Sequence, residues 1–189
     1  MIRQTYKDQL GQIESCFEIT KCEPFQSILD SAIDLLFTAL SQQKAVLVCG
    51  NGGSAADAQH IAGELVGRFL RERQALNVSA LSADTSIITA WANDVSYDSV
   101  FSRQVEAYGE NDGILWAIST SGNSKNVILA AKYARKIGMK VLALTGQGGG
   151  ELSNFADILI AAPSNMTPRI QEMHMMIYHY LCEQVEAKF

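Results

Sequence analysis

A chain of 189 residues is long enough to close one domain around a full hydrophobic core. With 48% hydrophobic and 19% charged residues it has the composition of a globular protein, which excludes a disordered chain. A formal net charge of −5 offers no electrostatic footprint for nucleic acid, and apolar runs too short to span a bilayer argue against a membrane protein. The opening stretch MIRQTYKDQLGQIES has polar residues where a signal peptide needs an apolar segment. Cys16, Cys22, Cys49 and Cys182 lack CxxC spacing and read as free thiols of a reducing compartment, so a cytoplasmic location is expected.

In chain order, residues 3–20 carry Leu10, Ile13, Phe17 and Ile19 at roughly helical spacing. Pro24 suits the first turn of a second helix. Phe25, Ile28, Leu29, Ile33, Leu36, Phe37 and Leu40 then mark it as strongly amphipathic to about Gln42. The first helix has little apolar surface of its own, so 1–42 are expected to pack between copies of the chain. From residue 44 the pattern becomes strand, loop, helix. Strands are predicted at 44–49, 76–81, 114–118, 140–144 and 157–161. Helices are predicted at 54–70, from Asp84-Thr85 through Trp91, at 98–108, from 124 to about 137, and from Pro168 to the C-terminus. Strands alternating with helices imply βαβ units and a parallel sheet with helices on both faces. Nothing resembling a linker or repeat interrupts them, so 1–189 read as one domain, with 43–189 as its α/β core.

Two turns stand out. Gly50-Asn51-Gly52-Gly53 lets a ligand approach the backbone, and Ser54 stands where a helix N-cap belongs. A strand, a glycine turn and a helix N-terminus together favour an anion. The glycines fit neither GxxxxGK[ST] nor GxGxxG, which argues against a nucleotide P-loop. The second turn, 119–124, crowds Ser119, Thr120, Ser121 and Ser124 between a buried strand and another helix start. One serine would cap the helix; four hydroxyls supply donors for a phosphate without a lysine or arginine. Turns after strand C-termini face the ligand crevice of an open parallel sheet, so the two turns are expected to share a pocket.

His60 and Glu64 are i,i+4 on the helix that starts at the first turn, about 40° apart around it. Gln171 and His179, eight residues apart, lie about 80° apart on the last helix, whereas His174 is turned some 140° from His179. Taken singly, His60 reads equally as a surface histidine, and His179 between Tyr178 and Tyr180 as a packing residue.

In several ordered motifs the chain resembles the sugar isomerase (SIS) domain family, and within it the phosphoheptose isomerases. They are Cys49-Gly50-Asn51-Gly52-Gly53-Ser54, Ala92-Asn93-Asp94, Phe101-Ser102-Arg103-Gln104, Ile118-Ser119-Thr120-Ser121-Gly122-Asn123-Ser124, Leu144-Thr145-Gly146 and Arg169-Ile170-Gln171-Glu172-Met173-His174. The resemblance implies a flavodoxin-like five-stranded parallel sheet, a homotetramer, and conversion of sedoheptulose 7-phosphate to D-glycero-D-manno-heptose 7-phosphate for lipopolysaccharide-core heptose. It implies that His60, Glu64, Gln171 and His179 line the site and hold a zinc ion, with Glu64 and His179 as acid/base groups. Asn51, Gly52, Gly53, Ser54, Arg68, Asn93, Asp94, Ser119, Thr120, Ser121, Ser124 and Gln171 would join Glu64 around the substrate. A non-catalytic relative, which associates with the bacterial replication initiator, shares the loop and the RIQEMHM segment. It lacks the residues matching Glu64 and His179, and this chain has both.

Overall fold

The computed structural model describes residues 4–189, and its sheet is centred on the first apolar run. Val46–Cys49 form β1, with all four residues buried. On one side β1 pairs with β2 (Val78–Ala80). On the other lie β3 (Ile114–Ser119), β4 (Lys140–Thr145) and β5 (Ile158–Ala161). Every pairing is parallel and the order is β2-β1-β3-β4-β5. This is the flavodoxin-like order, whose topological switch falls between β1 and β3, where crevices form beyond the strand C-termini.

The helices are α1 (Tyr6–Thr20), α2 (Glu23–Ser41), α3 (Gly53–Val66), α4 (Thr85–Asp94), α5 (Val100–Tyr108), α6 (Lys125–Lys136) and α7 (Thr167–Glu186). Strand side chains alternate between the two sheet faces with period two, which divides the core. Val46, Val48, Ile114, Trp116 and Ile118 join α2, α3 and α7 on one face. Leu47, Cys49, Leu115, Ala117, Val141 and Ala143 join α5 and α6 on the other. No helix among the described residues is long and apolar enough to cross a membrane.

Local signals account for most boundaries. Thr5 and Asp8 form a capping box at α1, and Asp84 caps α4 by accepting from the Ile87 N–H at 3.0 Å. Pro24 stands in the first turn of α2 and Pro168 in that of α7. The predicted start of the first helix at residue 3 lies outside the described residues.

Three boundaries differ from expectation. Ser54 does not cap α3: Gly52 occupies that position with φ +55, and Ser54 is buried inside the first turn. The same helix stops at Val66 rather than near 70: at its C-cap, Gly67, the backbone leaves the helical region with ψ −108, a close turn that the missing Cβ permits, since one there would come within 2.8 Å of the Gly63 carbonyl. β2 is shorter than 76–81 because the Leu76 N–H turns to the Leu65 carbonyl instead of the sheet.

Candidate active site

The turn after β1 is tight because a Cβ at Gly50 would meet the Ser54 carbonyl oxygen at 2.6 Å. Only Gly52 in this turn takes the left-handed conformation that glycine tolerates without strain. Asn51 is fully engaged: its amide and that of Asn126 exchange hydrogen bonds at 2.8 and 2.9 Å, and Tyr97 Oη donates to Asn51 Oδ1 at 2.9 Å. It therefore ties the first turn to the start of α6 and to the segment after α4. A Cβ at Gly53 would strike the Gln171 side-chain amide, so α7 lays Gln171 directly over the start of α3.

The second turn follows β3. Ser119 and Ser124 close it, hydroxyl to hydroxyl, at 3.0 Å, and Ser121 Oγ accepts from the Asn123 N–H at 3.1 Å. Thr120 and Ser121 line a cavity of about 250 Å³ together with Gln147, Asn165, Thr167 and Ile170. Ile170 lines this cavity while its neighbour Gln171 covers Gly53, so the start of α7 touches both turns. Gln147, Asn165 and Thr167 went unnoticed in the sequence. Their only signals are a glycine-rich turn after β4 and a polar stretch ahead of Pro168.

Further along α3 and α7, three side chains converge. His60 Nε2 lies 2.9 Å from Glu64 Oε1 and 3.4 Å from His179 Nε2. One donor atom from each of the three lies within 4.8 Å of the others. Burial, followed by the neighbouring His60, holds the His179 imidazole below its ordinary pKa, with Glu64 acting the other way, which favours the neutral ring. Tyr178, fully buried, places its hydroxyl 2.9 Å from His60 Nδ1. Beside that hydroxyl stands Asp57, whose carboxyl burial pushes up to about 6 against the pull of His60 and Tyr178.

This set fits a divalent ion on the chemistry of its donors: two imidazole nitrogens and a carboxylate oxygen leave a position open, as catalytic zinc sites do. A ligating His60 Nε2 would need its proton on Nδ1, donated to Tyr178 Oη, with the tyrosine proton passed on. Asp57 Oδ2, buried without a hydrogen-bond partner, is an acceptor beside that tyrosine. The HxxxE spacing was legible in the sequence; the support from Tyr178 and Asp57 was not.

The remaining expected residues lie apart from this cluster. Arg68 stands past the end of α3, exposed, with its Nε 3.3 Å from Glu72. Asn93 donates to Asp94 at 2.9 Å on the exposed end of α4, just before Tyr97 reaches back to Asn51. His174 points the other way, as its helical angle required. It is fully buried, its Nε2 donates to the Thr145 carbonyl at 3.0 Å, and burial pulls its pKa down to about 4, so it stays neutral and structural.

Comparison with known proteins identifies the family. The model of the SIS domain family matches residues 11–146. The chain is 50% identical over 167 residues to a phosphoheptose isomerase of Helicobacter pylori, covering 88% of this chain and 87% of that one. It is 44% identical over 182 residues to the phosphoheptose isomerase of Synechocystis, covering 96% and 92%. The solved phosphoheptose isomerase of Neisseria gonorrhoeae superposes with a TM-score of 0.86 at 38% identity, over 96% of this chain and 95% of that one. With its switch-point loops, its sheet order and these relatives in agreement, the chain belongs to the SIS domain family.

Proposed function

We propose that the protein is a phosphoheptose isomerase that interconverts sedoheptulose 7-phosphate and D-glycero-D-manno-heptose 7-phosphate, feeding lipopolysaccharide-core heptose synthesis. The observation that carries the reading is the convergence of His179, from α7, on His60 and Glu64, which stand on the helix that begins at the glycine turn. The relatives named phosphoheptose isomerase support the substrate.

The phosphate is held by the hydroxyls and N–H groups of 119–124, with Gly52, Gly53 and Ser54 at the start of α3 completing the cradle. Glu64 takes a proton from C1 of the ketose and returns it to C2, passing through an enediolate. The C2 carbonyl oxygen gains a proton while the C1 hydroxyl loses one, and His179 carries that exchange. The carboxylate has Oε1 turned to His60, which fixes its direction along α3. Asn51, Asn93, Asp94 and Gln171 are proposed to position the sugar chain between the turns, and Arg68 to act from the far end of α3.

His60, Glu64 and His179 would hold a zinc ion, with Gln171 of α7 proposed to take the position they leave open, and the ion would supply a Lewis acid toward the sugar oxygens when bound. Metal holding and proton carrying draw on the same His179 Nε2, so an ion and a proton on that atom are alternatives. Formation of the aldose from sedoheptulose 7-phosphate by the purified protein tests the reading.

The active form is proposed to be a homotetramer built through α1, α2 and α7. Among its described residues α1 buries only Cys16. Leu10 and Ile19 on α1 are exposed, as are Met175 and Met176 on α7. Between these helices runs a groove of about 640 Å³, lined by Phe17, Phe25, Leu29, Met173 and Ile177 among others. Dihedral tetramers are the commonest closed assemblies after dimers. Light scattering at micromolar concentration is expected to give four times the chain mass, and a monomer mass contradicts this assembly.

A further inference from the structure

Between the end of α3 and the start of β2, residues 67–77 have no regular structure, so their backbone donors must be satisfied elsewhere. Three consecutive N–H groups converge on one carboxylate from the far end of the chain. Glu186 Oε1 accepts from Phe69 at 2.9 Å, and Oε2 accepts from Leu70 at 2.6 Å and Arg71 at 3.0 Å. The charge is answered by Arg73, whose Nε lies 3.3 Å from Glu186 Oε1, with both side chains almost wholly buried. Arg73 also caps the helix it follows, donating to the Glu64 carbonyl at 2.8 Å and to the Gly67 carbonyl at 3.0 Å. Those carbonyls belong to the last turn of α3 and its cap, where no helical N–H is left to reach them.

The strap that results carries Phe69, whose ring lies over the His179 imidazole with centroids 5.6 Å apart and planes 16° from parallel. His179 and Glu186 are seven residues, about two turns, apart on α7, so one face of that helix presents both to the same strap. A single buried ion pair thus touches both proposed acid/base groups: Glu64 through its own carbonyl, and His179 through the aromatic ring that Glu186 holds in place.

We propose that the Arg73–Glu186 pair and Phe69 are positioning residues, a strap that fixes His179 and the Glu64 turn of α3 in register with each other. The proposal rests on the isomerase reading for its kinetic consequence but not for its structural one. A ring held face to face moves the proton signals of its neighbour, and the chain has only three histidines, His60, His174 and His179. In spectra of the protein carrying isotope-labelled histidine, the His179 ring signals are expected to lie away from their ordinary positions. Phe69→Leu should return them toward those positions and Phe69→Tyr should leave them displaced. Glu186→Gln, which sets an amide against N–H donors, should behave like Phe69→Leu, with the His174 signals unmoved in all three.

In turnover of sedoheptulose 7-phosphate, Phe69→Leu and Glu186→Gln are expected to lower kcat by roughly ten- to a hundredfold with KM within about threefold, since displacement of a reacting group costs rate more than binding. Phe69→Tyr should restore kcat. Phe69 is only half-buried, so its variants fold even where loss of the buried pair prevents Glu186→Gln from doing so. His179 signals that stay displaced in Phe69→Leu, or in a folded Glu186→Gln, would overturn the proposal, whether or not the parent turns over. So would a parental kcat in Phe69→Leu.

Discussion

Glu64→Gln is expected to lower turnover of sedoheptulose 7-phosphate by about a hundredfold or more, in the range of general-base contributions, while its binding stays near the parental level. The amide keeps the size of the side chain and an oxygen able to accept from His60, so the arrangement on α3 survives. What is lost is the basicity that takes the C1 proton. Binding should persist because the proposed phosphate cradle lies at the N-termini of α3 and α6 rather than at residue 64. Calorimetry for affinity and a stopped assay for aldose formation separate the two effects. Equal turnover in the variant and the parent removes Glu64 as the base and leaves the His60–Glu64 pair as a metal anchor at most.

Gly122→Ala is expected to damage both the fold and the phosphate turn. Gly122 has φ +66, a conformation that costs an L-residue about 1–2 kcal/mol. A Cβ there would also strike the Gly149 carbonyl and come within 2.8 Å of the Gly150 nitrogen. Those are backbone atoms that no rotamer change moves aside, and overpacking of this kind typically adds about 1–3 kcal/mol. The contact is reciprocal: a Cβ at Gly150 would meet the Ser121 carbonyl oxygen at 2.5 Å. The turn after β3 and the turn after β4 are therefore pressed together through glycines, and the Leu152 N–H seals them by donating to the Gly122 carbonyl at 2.9 Å. A total of about 2–5 kcal/mol corresponds to a fall in Tm of roughly 5–20 °C for a chain of this length. Affinity for sugar phosphate should drop at least about tenfold, because Thr120 and Ser121 move with the turn. Thermal unfolding and calorimetry check the two halves, and a variant with parental Tm would mean that the two turns are not interlocked.

Much of this architecture was legible because its signals are local. The runs Val46–Cys49 and Ile114–Ser119 are too apolar and too short to be anything but buried parallel strands, and the hydroxyl-rich turn after the second announces itself. The His60–Glu64 pair follows from helical periodicity alone. What escaped depends on residues distant in sequence. Ser54 has the chemistry of a cap, but the left-handed Gly52 displaces it by two positions. Gly67 ends α3, although Leu65-Val66 before it and Phe69-Leu70 beyond it extend the apolar pattern to 70. Nothing in the sequence singled out Tyr178, although its hydroxyl reaches His60 118 positions away. Glu186 carried no signal in the sequence, yet it is buried against Arg73 and three backbone N–H groups. No periodicity encodes such pairings; they exist only once α3 and α7 lie side by side.

The central claim is that this site turns over a phosphorylated heptose and does not merely bind one. The most direct measurement is nuclear magnetic resonance of sedoheptulose 7-phosphate incubated with the purified protein. Ketose signals should decay while those of the aldose heptose 7-phosphate grow to a constant ratio, at a rate proportional to protein concentration. Ketose left unchanged by protein that binds it would contradict the account, and would point instead to a non-catalytic SIS protein such as the one associated with the replication initiator.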